Sequence, residues 1–206
     1  MQQEAIQEDF YSSLSASGES LFKDRGSKFI GLAVKVKNSE EALAALQTIR
    51  EQYHDARHHC FAYRTKPLQP QCRFNDDGEP SNSAGSPIFN QMVSVNVWNV
   101  LVVVVRYFGG TKLGVPGLIN AYKTAAKEAL ENASTKTVYI FNRLEIRFPY
   151  NQTGVVMQTL KNNGAKIATE KMAADAGYEI KVRLSKKDST LAALKKLHFL
   201  KITEDE

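Results

Sequence analysis

The sequence predicts an α+β protein of two domains, and three observations support this fold class. Residues 100–107 form the most apolar run in the chain, and a glycine-rich loop and a helical pattern follow them. After about residue 135, strand and helix patterns alternate in the order β-α-β-β-α-β. The charge also changes there, because residues 1–135 carry 14 basic and 14 acidic side chains whereas residues 136–206 carry 13 and 8. We therefore expect domains at residues 1–135 and 136–206, joined by an exposed polar link near residues 133–137.

Length and composition are those of an ordinary globular protein. The chain has 206 residues, of which 43% are hydrophobic and 24% charged, and two domains of this size can each bury a core. No uninterrupted apolar run approaches the ~20 residues that cross a bilayer, and the start of the chain lacks the basic and apolar segments of a signal peptide. We therefore expect a cytoplasmic protein without a membrane partner, in which Cys60 and Cys72 stay reduced.

The first domain should begin with a loose N-terminus, followed by a strand at residues 28–36. Asn38 with Glu41 resembles a capping box, and the helix that it opens should end near Tyr53. The predicted inward face of this helix consists of Ala42, Leu43, Leu46 and Ile49. Residues 58–64 are expected to form a second strand, and residues 65–71, which contain two prolines, a loop.

The segment at residues 74–87 is polar and rich in turn formers, with Asp77-Gly78 as its strongest turn signal. Ser86 should cap a short helix that has Pro87 in its first position. The side chains expected on the inner face of this helix are Ile88, Phe89, Met92 and Val93.

The apolar run at residues 100–107 is dominated by β-branched residues without alternation, which is typical of a central strand buried on both faces. Gly109, Gly110, Gly114 and Gly117 follow, and Pro116 suits the first position of the next helix. Ile119 belongs to the helical pattern beyond it. A glycine loop at a helix N-terminus can bind an anion. The loop matches neither a Walker A motif nor a dinucleotide fingerprint, and its glycines fit equally well a tight corner under a packed helix.

The second domain is predicted from alternating and helical patterns. A strand covers residues 144–148, a helix with Val156, Met157 and Leu160 inward ends at Gly164, and Gly177 helps to turn a hairpin. A second helix carries Leu191 and Leu194, and residues 199–203 close the domain as a strand. This order is that of a ferredoxin-like plait.

The first candidate site combines basic and acidic residues: Arg57, His58, His59, Asp76, Asp77 and Glu79. Histidine and carboxylate side chains bind zinc or manganese and act as general acids and bases. Adjacent residues of a strand point to opposite faces, so at most one of the two histidines should face the acidic loop. The alternative is that the aspartates satisfy the turn backbone and one histidine is a buried, hydrogen-bonded side chain. We expect no structural metal and no cofactor, because the cysteines form no Cys-x-x-Cys pair, and Cys60 should be an inert core thiol.

The second candidate site is a surface for a polyanion around the glycine loop, formed by Arg57, Arg106, Gly109, Gly110, Lys112 and Gly114. Cations, aromatic rings and exposed glycine backbone suit RNA, which is bound through phosphate contacts and base stacking. The net charge of +5 also favours an acidic partner. Tyr107 and Phe108 fit the core as well as a surface, and solvated lysines explain the charge excess equally well.

Three segments of the chain resemble the bacterial YigZ/IMPACT family: residues 55–60 (DARHHC), residues 75–80 (NDDGEP) with 84–87 (AGSP), and residues 104–110 (VVRYFGG) with the glycines after them. The resemblance implies an N-terminal domain with the fold shared by a ribosomal protein and domain IV of elongation factor G. It implies a C-terminal ferredoxin-like domain comparable to domain V of that factor. The resemblance implies nine motif residues, which are Arg57, His58, His59, Asp76, Asp77, Glu79, Arg106, Gly109 and Gly110.

The resemblance also implies a role in translation. Eukaryotic relatives restrain the kinase that senses uncharged tRNA, and they use an additional N-terminal domain for which this sequence has no counterpart. We therefore expect a factor that binds RNA or the ribosome, with little or no enzymatic activity, and that regulates translation under stress. Two alternatives stay open: a small metal-dependent hydrolase that uses the histidine–acid cluster, and a regulatory module that binds another protein.

Overall fold

The computed structural model describes residues 8–172 and 174–204, which fall into two compact units. Tyr11–Val138 belong to the first unit, and Glu8–Phe10 belong to the second together with the chain from Tyr139 onward. The elements up to residue 139 are β1 (Phe10–Ala16), β2 (Gly18–Asp24), β3 (Ser27–Lys35), α1 (Ser39–Gln52), β4 (His58–Thr65), β5 (Gln71–Asn75), α2 (Gly85–Ser94), β6 (Val100–Tyr107), α3 (Gly114–Asn132) and β7 (Ser134–Tyr139).

The first unit is built on a five-stranded antiparallel sheet with the order β2-β3-β6-β4-β5. The apolar strand β6 lies at its centre, and Val100 to Val105 are all fully buried, as the sequence predicts. On one face of the sheet Val102 and Val104 pack in a core with α2 and α3, and on the other face Val103 and Val105 pack with α1. Helices on both faces explain why β6 has no polar side.

The N-terminal region is not loose where the structure describes it, and the prediction there is wrong. β2 pairs with β3 along its whole length, and β1 pairs with β7 in a separate two-stranded sheet. β5 was also missed within the segment expected to be loop and turn. β2 and β5 are edge strands in which exposed positions alternate with more covered ones, and no residue of β5 is fully buried. Their polar residues therefore hide the apolar pattern that reveals an interior strand.

Three residues expected on the inner faces of helices are instead exposed, namely Leu43, Val93 and Met157, and Ile119 of the helical pattern in α3 is exposed as well. Each of them is next in sequence to a buried residue. Successive side chains of a helix are about 100° apart around its axis, so each exposed residue lies at the border of the buried face. α1 shows the effect: Ala42, Leu46 and Ile49 form its buried stripe, and Leu43 lies beside that stripe. The capping prediction for α1 is confirmed, because the Asn38 side chain accepts a hydrogen bond from the Glu41 amide.

The starts of α2 and α3 differ from the prediction. α2 begins at Gly85 with Ala84 in the capping position, so Ser86 lies inside the helix and does not cap it. α3 begins at Gly114, which places Pro116 third in the helix instead of first. α2 starts earlier than predicted because of a tertiary contact. The Asp76 carboxylate accepts hydrogen bonds from the first amides of the helix, which is the capping role that was predicted for the Ser86 hydroxyl.

The polar segment near residues 133–137 is exposed, as expected at Ser134–Thr137, but it is not a loop, because these residues begin strand β7. α3 runs to Asn132 and β7 begins at Ser134, so one residue separates them. The end of α3 also lies against Gly18, where a Cβ atom would come within 2.1 Å of the Ala129 carbonyl oxygen. These contacts hold a segment whose composition is typical of a linker.

The second unit contains β8 (Phe141–Phe148), α4 (Thr153–Asn162), β9 (Lys166–Met172), β10 (Ala176–Arg183), α5 (Lys187–Lys195) and β11 (Lys201–Glu204). Its antiparallel sheet has the order β11-β8-β10-β9, and one core joins this sheet to both helices. Gly164, with a φ of 67°, ends α4 as predicted. Gly177 lies inside β10 and not in a turn, so that prediction is wrong.

The five helices of the described residues include none that is both long and apolar enough to cross a membrane.

Candidate functional site

A buried ion pair lies where the turn after β5 meets the end of β6. Arg106 Nη1 donates to Glu79 Oε1 at 2.6 Å, and the Tyr122 hydroxyl donates to the same oxygen at 2.8 Å. The side chains of Arg106 and Glu79 are only 8% and 4% exposed. Burial raises the pKa of Tyr122, so its hydroxyl remains a donor. The sequence singled out Arg106 and Glu79 but missed Tyr122, which has only the pattern of a core helix residue.

Both histidines contact Asp77, although their rings point to opposite faces of the strand and only the His58 ring hydrogen-bonds to the acidic loop. The His58 ring nitrogen Nδ1 is 2.8 Å from the Asp77 carbonyl oxygen, and the His59 amide donates to Asp77 Oδ2 at 2.7 Å. The ring of His59 points to the other face, where Nε2 is 3.1 Å from the Tyr53 carbonyl oxygen. The turn contacts both residues because the Asp77 carbonyl oxygen lies beside the His58 ring and the Asp77 carboxylate accepts from the His59 amide.

Asp76 satisfies the backbone of its own turn. Its carboxylate accepts hydrogen bonds from the amides of Asn82, Ala84 and Gly85, at 2.8 to 2.9 Å. The last two amides belong to the N-terminus of α2, where a negative charge is favourable. Three donors leave this carboxylate little capacity to bind a metal.

The described residues contain no group of three or more histidine, cysteine or acidic side chains that could hold a metal ion. Cys60 lies in the core and its thiol donates to the Asp76 carbonyl oxygen, while burial raises its pKa well above the ordinary value. A buried thiol with a raised pKa is a poor nucleophile. Cys60 and Cys72 are both free thiols.

An open groove of about 370 Å³ lies beside the ion pair. Arg57, His58, Lys112, Gly114 and Phe108 line it, together with Glu79, Arg106 and the apolar residues Pro80, Leu113, Val115 and Leu118. The structure thus brings residues of both sequence-predicted sites into one place. Glu79 balances the charge of Arg106, whereas Arg57 and Lys112 have no ion-pair partner within 4.0 Å among residues 8–172 and 174–204. The groove therefore has a neutral floor and a positive rim.

The two aromatic residues at the end of β6 have different surroundings. Tyr107 packs partly against the core on the α1 side, and its hydroxyl donates to Asp55 at 2.7 Å. This hydrogen bond raises the pKa of Tyr107 to about 12. Phe108 is 54% exposed, and its ring lies 5.5 Å from the guanidinium carbon of Arg106. Phe108 is thus the aromatic side chain that a ligand in the groove can reach.

The glycines of the loop divide into two kinds. Gly109 lies against the turn between β2 and β3, because a Cβ atom there would come 1.9 Å from the Gly26 carbonyl carbon, and its amide donates to the Ser27 hydroxyl. Gly110 and Gly114 have φ angles of 88° and 72°, and nothing lies within 4 Å of a Cβ built on Gly110. Gly109 therefore makes the tight corner that the sequence allowed as an alternative, and only Gly114 lines the groove.

The antiparallel sheet, which carries helices on both faces, and the groove with its basic rim define an α+β protein with an open surface groove. A family model described as the Impact N-terminal domain matches residues 25–130, which include every residue that lines the groove. The chain belongs to the IMPACT family.

Individual relatives agree with this assignment. An IMPACT family member of Thermus thermophilus, from the pol 5′ region, is 40% identical over 135 residues, which cover 66% of this chain and 72% of that protein. The IMPACT family member YigZ of Escherichia coli is 35% identical over 63% of this chain and 65% of that protein.

Two solved structures extend the comparison. One, described as a hypothetical protein, is 27% identical with a TM-score of 0.71 and covers 97% of this chain and 98% of that chain. Another, described as the two-domain translational regulator Yih1, is 29% identical over 65% of this chain and 54% of that chain, with a TM-score of 0.40.

Proposed function

We propose that this protein is a translation-associated regulatory factor that binds RNA or the ribosome. One observation carries the proposal: Arg57 and Lys112, which have no acidic partner in the part of the chain that the structure describes, line an open groove together with an exposed aromatic ring. Cations bind phosphates, and aromatic rings stack on unpaired bases. The 29% identical relative Yih1 is described as a translational regulator, and this description supports an action in translation. A role under stress is the finer part of the same proposal.

We further infer that the two units are the domains expected at residues 1–135 and 136–206. In the second unit, the strands numbered in chain order are arranged 4-1-3-2 with a helix after the first and the third, which supports a ferredoxin-like fold. For the first unit we propose the fold shared with domain IV of elongation factor G. Basic, exposed residues of the second unit, such as Lys161 and Lys166, would add phosphate contacts.

The proposal is tested by binding measurements with ribosomal subunits, a transfer RNA and duplex DNA at several salt concentrations. With about 3 to 5 phosphate contacts and about 0.7 counterions released per contact, the slope of log affinity against log salt should be roughly −2 to −4. Lys112→Ala should weaken binding to different RNAs alike and make the slope shallower by about 0.7. Arg57→Ala should act in the same way.

Lys35→Ala is the matched control. Lys35 is exposed and pairs with Val100 at the opposite end of the ladder from Arg106, so its removal should leave binding unchanged. Absence of association with any of the nucleic acids at low salt would refute the proposal. A tight complex with a single protein that hardly depends on salt would replace it with a protein-binding regulatory module.

The metal-dependent hydrolase has less support. Asp76 is occupied by three backbone amides, and Glu79 is bound by Arg106 and Tyr122. Metal binding by these carboxylates would break the hydrogen bonds that stabilise the turn and the start of α2.

A further inference from the structure

We propose that the groove holds one unpaired nucleotide of an RNA strand, with its base stacked beside Phe108 and its phosphates at Arg57 and Lys112. This inference rests on the proposed function and names the part of the RNA that the groove recognises. It requires that the groove has an apolar part suited to a base, a polar floor with free hydrogen-bonding capacity, and a basic rim.

The apolar part of the groove is too large for a site that binds phosphate alone. Phe108, Val115 and the side chains of Pro80, Leu113 and Leu118 contribute to its walls. Phe108 and Val115 are 54% and 45% exposed, so their apolar surface is accessible from solvent. Phosphate gains nothing from such walls, whereas a flat nucleobase buries its faces against them. The volume of about 370 Å³ lies within the range of small-ligand pockets.

A contact with Arg106 helps to orient Phe108 before any ligand arrives. The guanidinium carbon of Arg106 lies 5.5 Å from the Phe108 ring and 5.4 Å from the ring of the buried Phe29. Arg106 in turn is fixed by Glu79 and is only 7% exposed. An aromatic ring that is already oriented loses little conformational freedom when a base stacks on it.

The floor of the groove has unused hydrogen-bonding capacity. Both hydrogen bonds that reach Glu79 end on Oε1, so Oε2 can accept from a ligand. Nucleobases carry amino and imino donors along one edge, and Glu79 Oε2 can accept a hydrogen bond from such a donor.

The rim supplies the charge for the sugar–phosphate backbone. Arg57 is exposed at the start of β4, and Lys112 is exposed in the loop before α3. Since Glu79 neutralises Arg106, the net positive charge of the groove comes from these two residues. The neutral floor is therefore the part of the groove suited to a base, and the basic rim is the part suited to phosphates.

The experiment compares two single-stranded RNA pentamers of equal charge, one with normal uridines and one whose central nucleotides are abasic. Because the number of phosphates is the same, the salt-dependent part of the affinity is the same for both. Stacking on an aromatic ring is worth about 1–3 kcal/mol per base, so the normal pentamer should bind about 5- to 150-fold more tightly. Phe108→Ala and Phe108→Leu should remove this difference, and Phe108→Tyr should retain it.

Phe141→Ala is the control, because Phe141 is a 40% exposed phenylalanine of the second unit. It should leave the ratio of the two affinities unchanged. Salt-dependent binding with equal affinity for both pentamers would overturn the nucleotide site while leaving the proposed function intact. No binding of either pentamer or of the ribosomal subunits at low salt would refute both. Unfolding midpoints of the Phe108 variants, expected to match that of the wild type, show that a lost preference is not a lost fold.

Discussion

At the scale of single residues, the Arg106–Glu79 pair joins three parts of the first unit. Arg106 lies on β6, Glu79 in the turn after β5, and Tyr122, which donates to the same carboxylate oxygen, on α3. A buried ion pair contributes little net stability, but loss of one partner leaves an uncompensated charge. In this protein the ion pair fixes the distance between the end of β6 and the turn after β5, which are the two segments that form the groove.

Gly109 is a position where a single methyl group should damage the fold. Gly109→Ala would place a Cβ atom 1.9 Å from the Gly26 carbonyl carbon and 2.2 Å from the Ser27 amide nitrogen, and backbone atoms cannot rotate away. We expect a loss of about 3 kcal/mol or more in the free energy of unfolding, measured with urea. Gly110→Ala is the matched control. It meets open space and should lose only about 1–2 kcal/mol from its positive φ.

Asp9 should make the second unit sensitive to acid. Hydrogen bonds from Arg183 and Ser185 lower the pKa of its carboxyl below the ordinary value of 3.8. The unfolded chain therefore binds more protons than the folded chain between the lowered pKa and 3.8, and stability rises with pH in that window. The contribution is complete above 3.8 and disappears as the pH falls through the lowered pKa of the folded protein.

We therefore expect Asp9→Asn to lower the urea midpoint at neutral pH and to have no effect once the pH is below both pKa values. Glu170→Gln, at an exposed position of β9, should be neutral throughout. An equal deficit of Asp9→Asn at both pH values would contradict this linkage.

At the scale of elements, α2 depends on a carboxylate nine residues before its first turn. The helix has no side-chain cap of its own, and Asp76 Oδ1 accepts from the amides of Ala84 and Gly85 instead. These amides are among the unpaired donors of a helix start, and an acidic group there also interacts favourably with the helix dipole. The loop between β5 and α2 is thus folded around one carboxylate.

Asp76→Ala should cost about 2–3 kcal/mol of stability, because three backbone donors lose a charged acceptor. Asp76→Asn should cost about 1 kcal/mol, since an amide oxygen can still take the place of Oδ1 while the bond from Asn82 is lost. Thermal unfolding monitored by circular dichroism gives both values. Equal losses for the two variants would show that the charge, and not the acceptor at Oδ1, stabilises the start of α2.

At the scale of the whole molecule, two hydrophobic cores serve the first unit and one serves the second. The cores of the first unit draw their members from Leu14 to Ala133, and that of the second from Leu144 to Ile202. Within residues 8–172 and 174–204, no residue belongs to a core of both units. Separate cores are the physical basis for domains that fold alone.

A fragment of residues 1–138 should therefore unfold cooperatively, as followed by circular dichroism during heating. A fragment of residues 1–99 should not, because it lacks the central strand β6 and the helix α3. A fragment of residues 1–138 without a cooperative transition would contradict the division into domains that fold independently.

The sequence by itself determined those elements whose signal is local. The β-branched run of β6 has no polar position, so its burial on both faces could be predicted. Asn38 and Glu41 lie three residues apart, and the cap of α1 follows from that spacing. The family resemblance also marked Glu79 and Arg106. For the edge strands β2 and β5, whose patterns are polar, the sequence was insufficient.

Only the tertiary structure decided how the marked residues combine. Arg106 and Glu79 are 27 residues apart, Tyr122 and Glu79 are 43 apart, and no local pattern encodes which charges meet. The same contacts show that the histidines and aspartates hold a turn, whereas Arg57, Phe108 and Lys112 remain open to a ligand. Long-range pairing depends on how the sheet places β4 beside β6, and that placement results from the packing of the whole core.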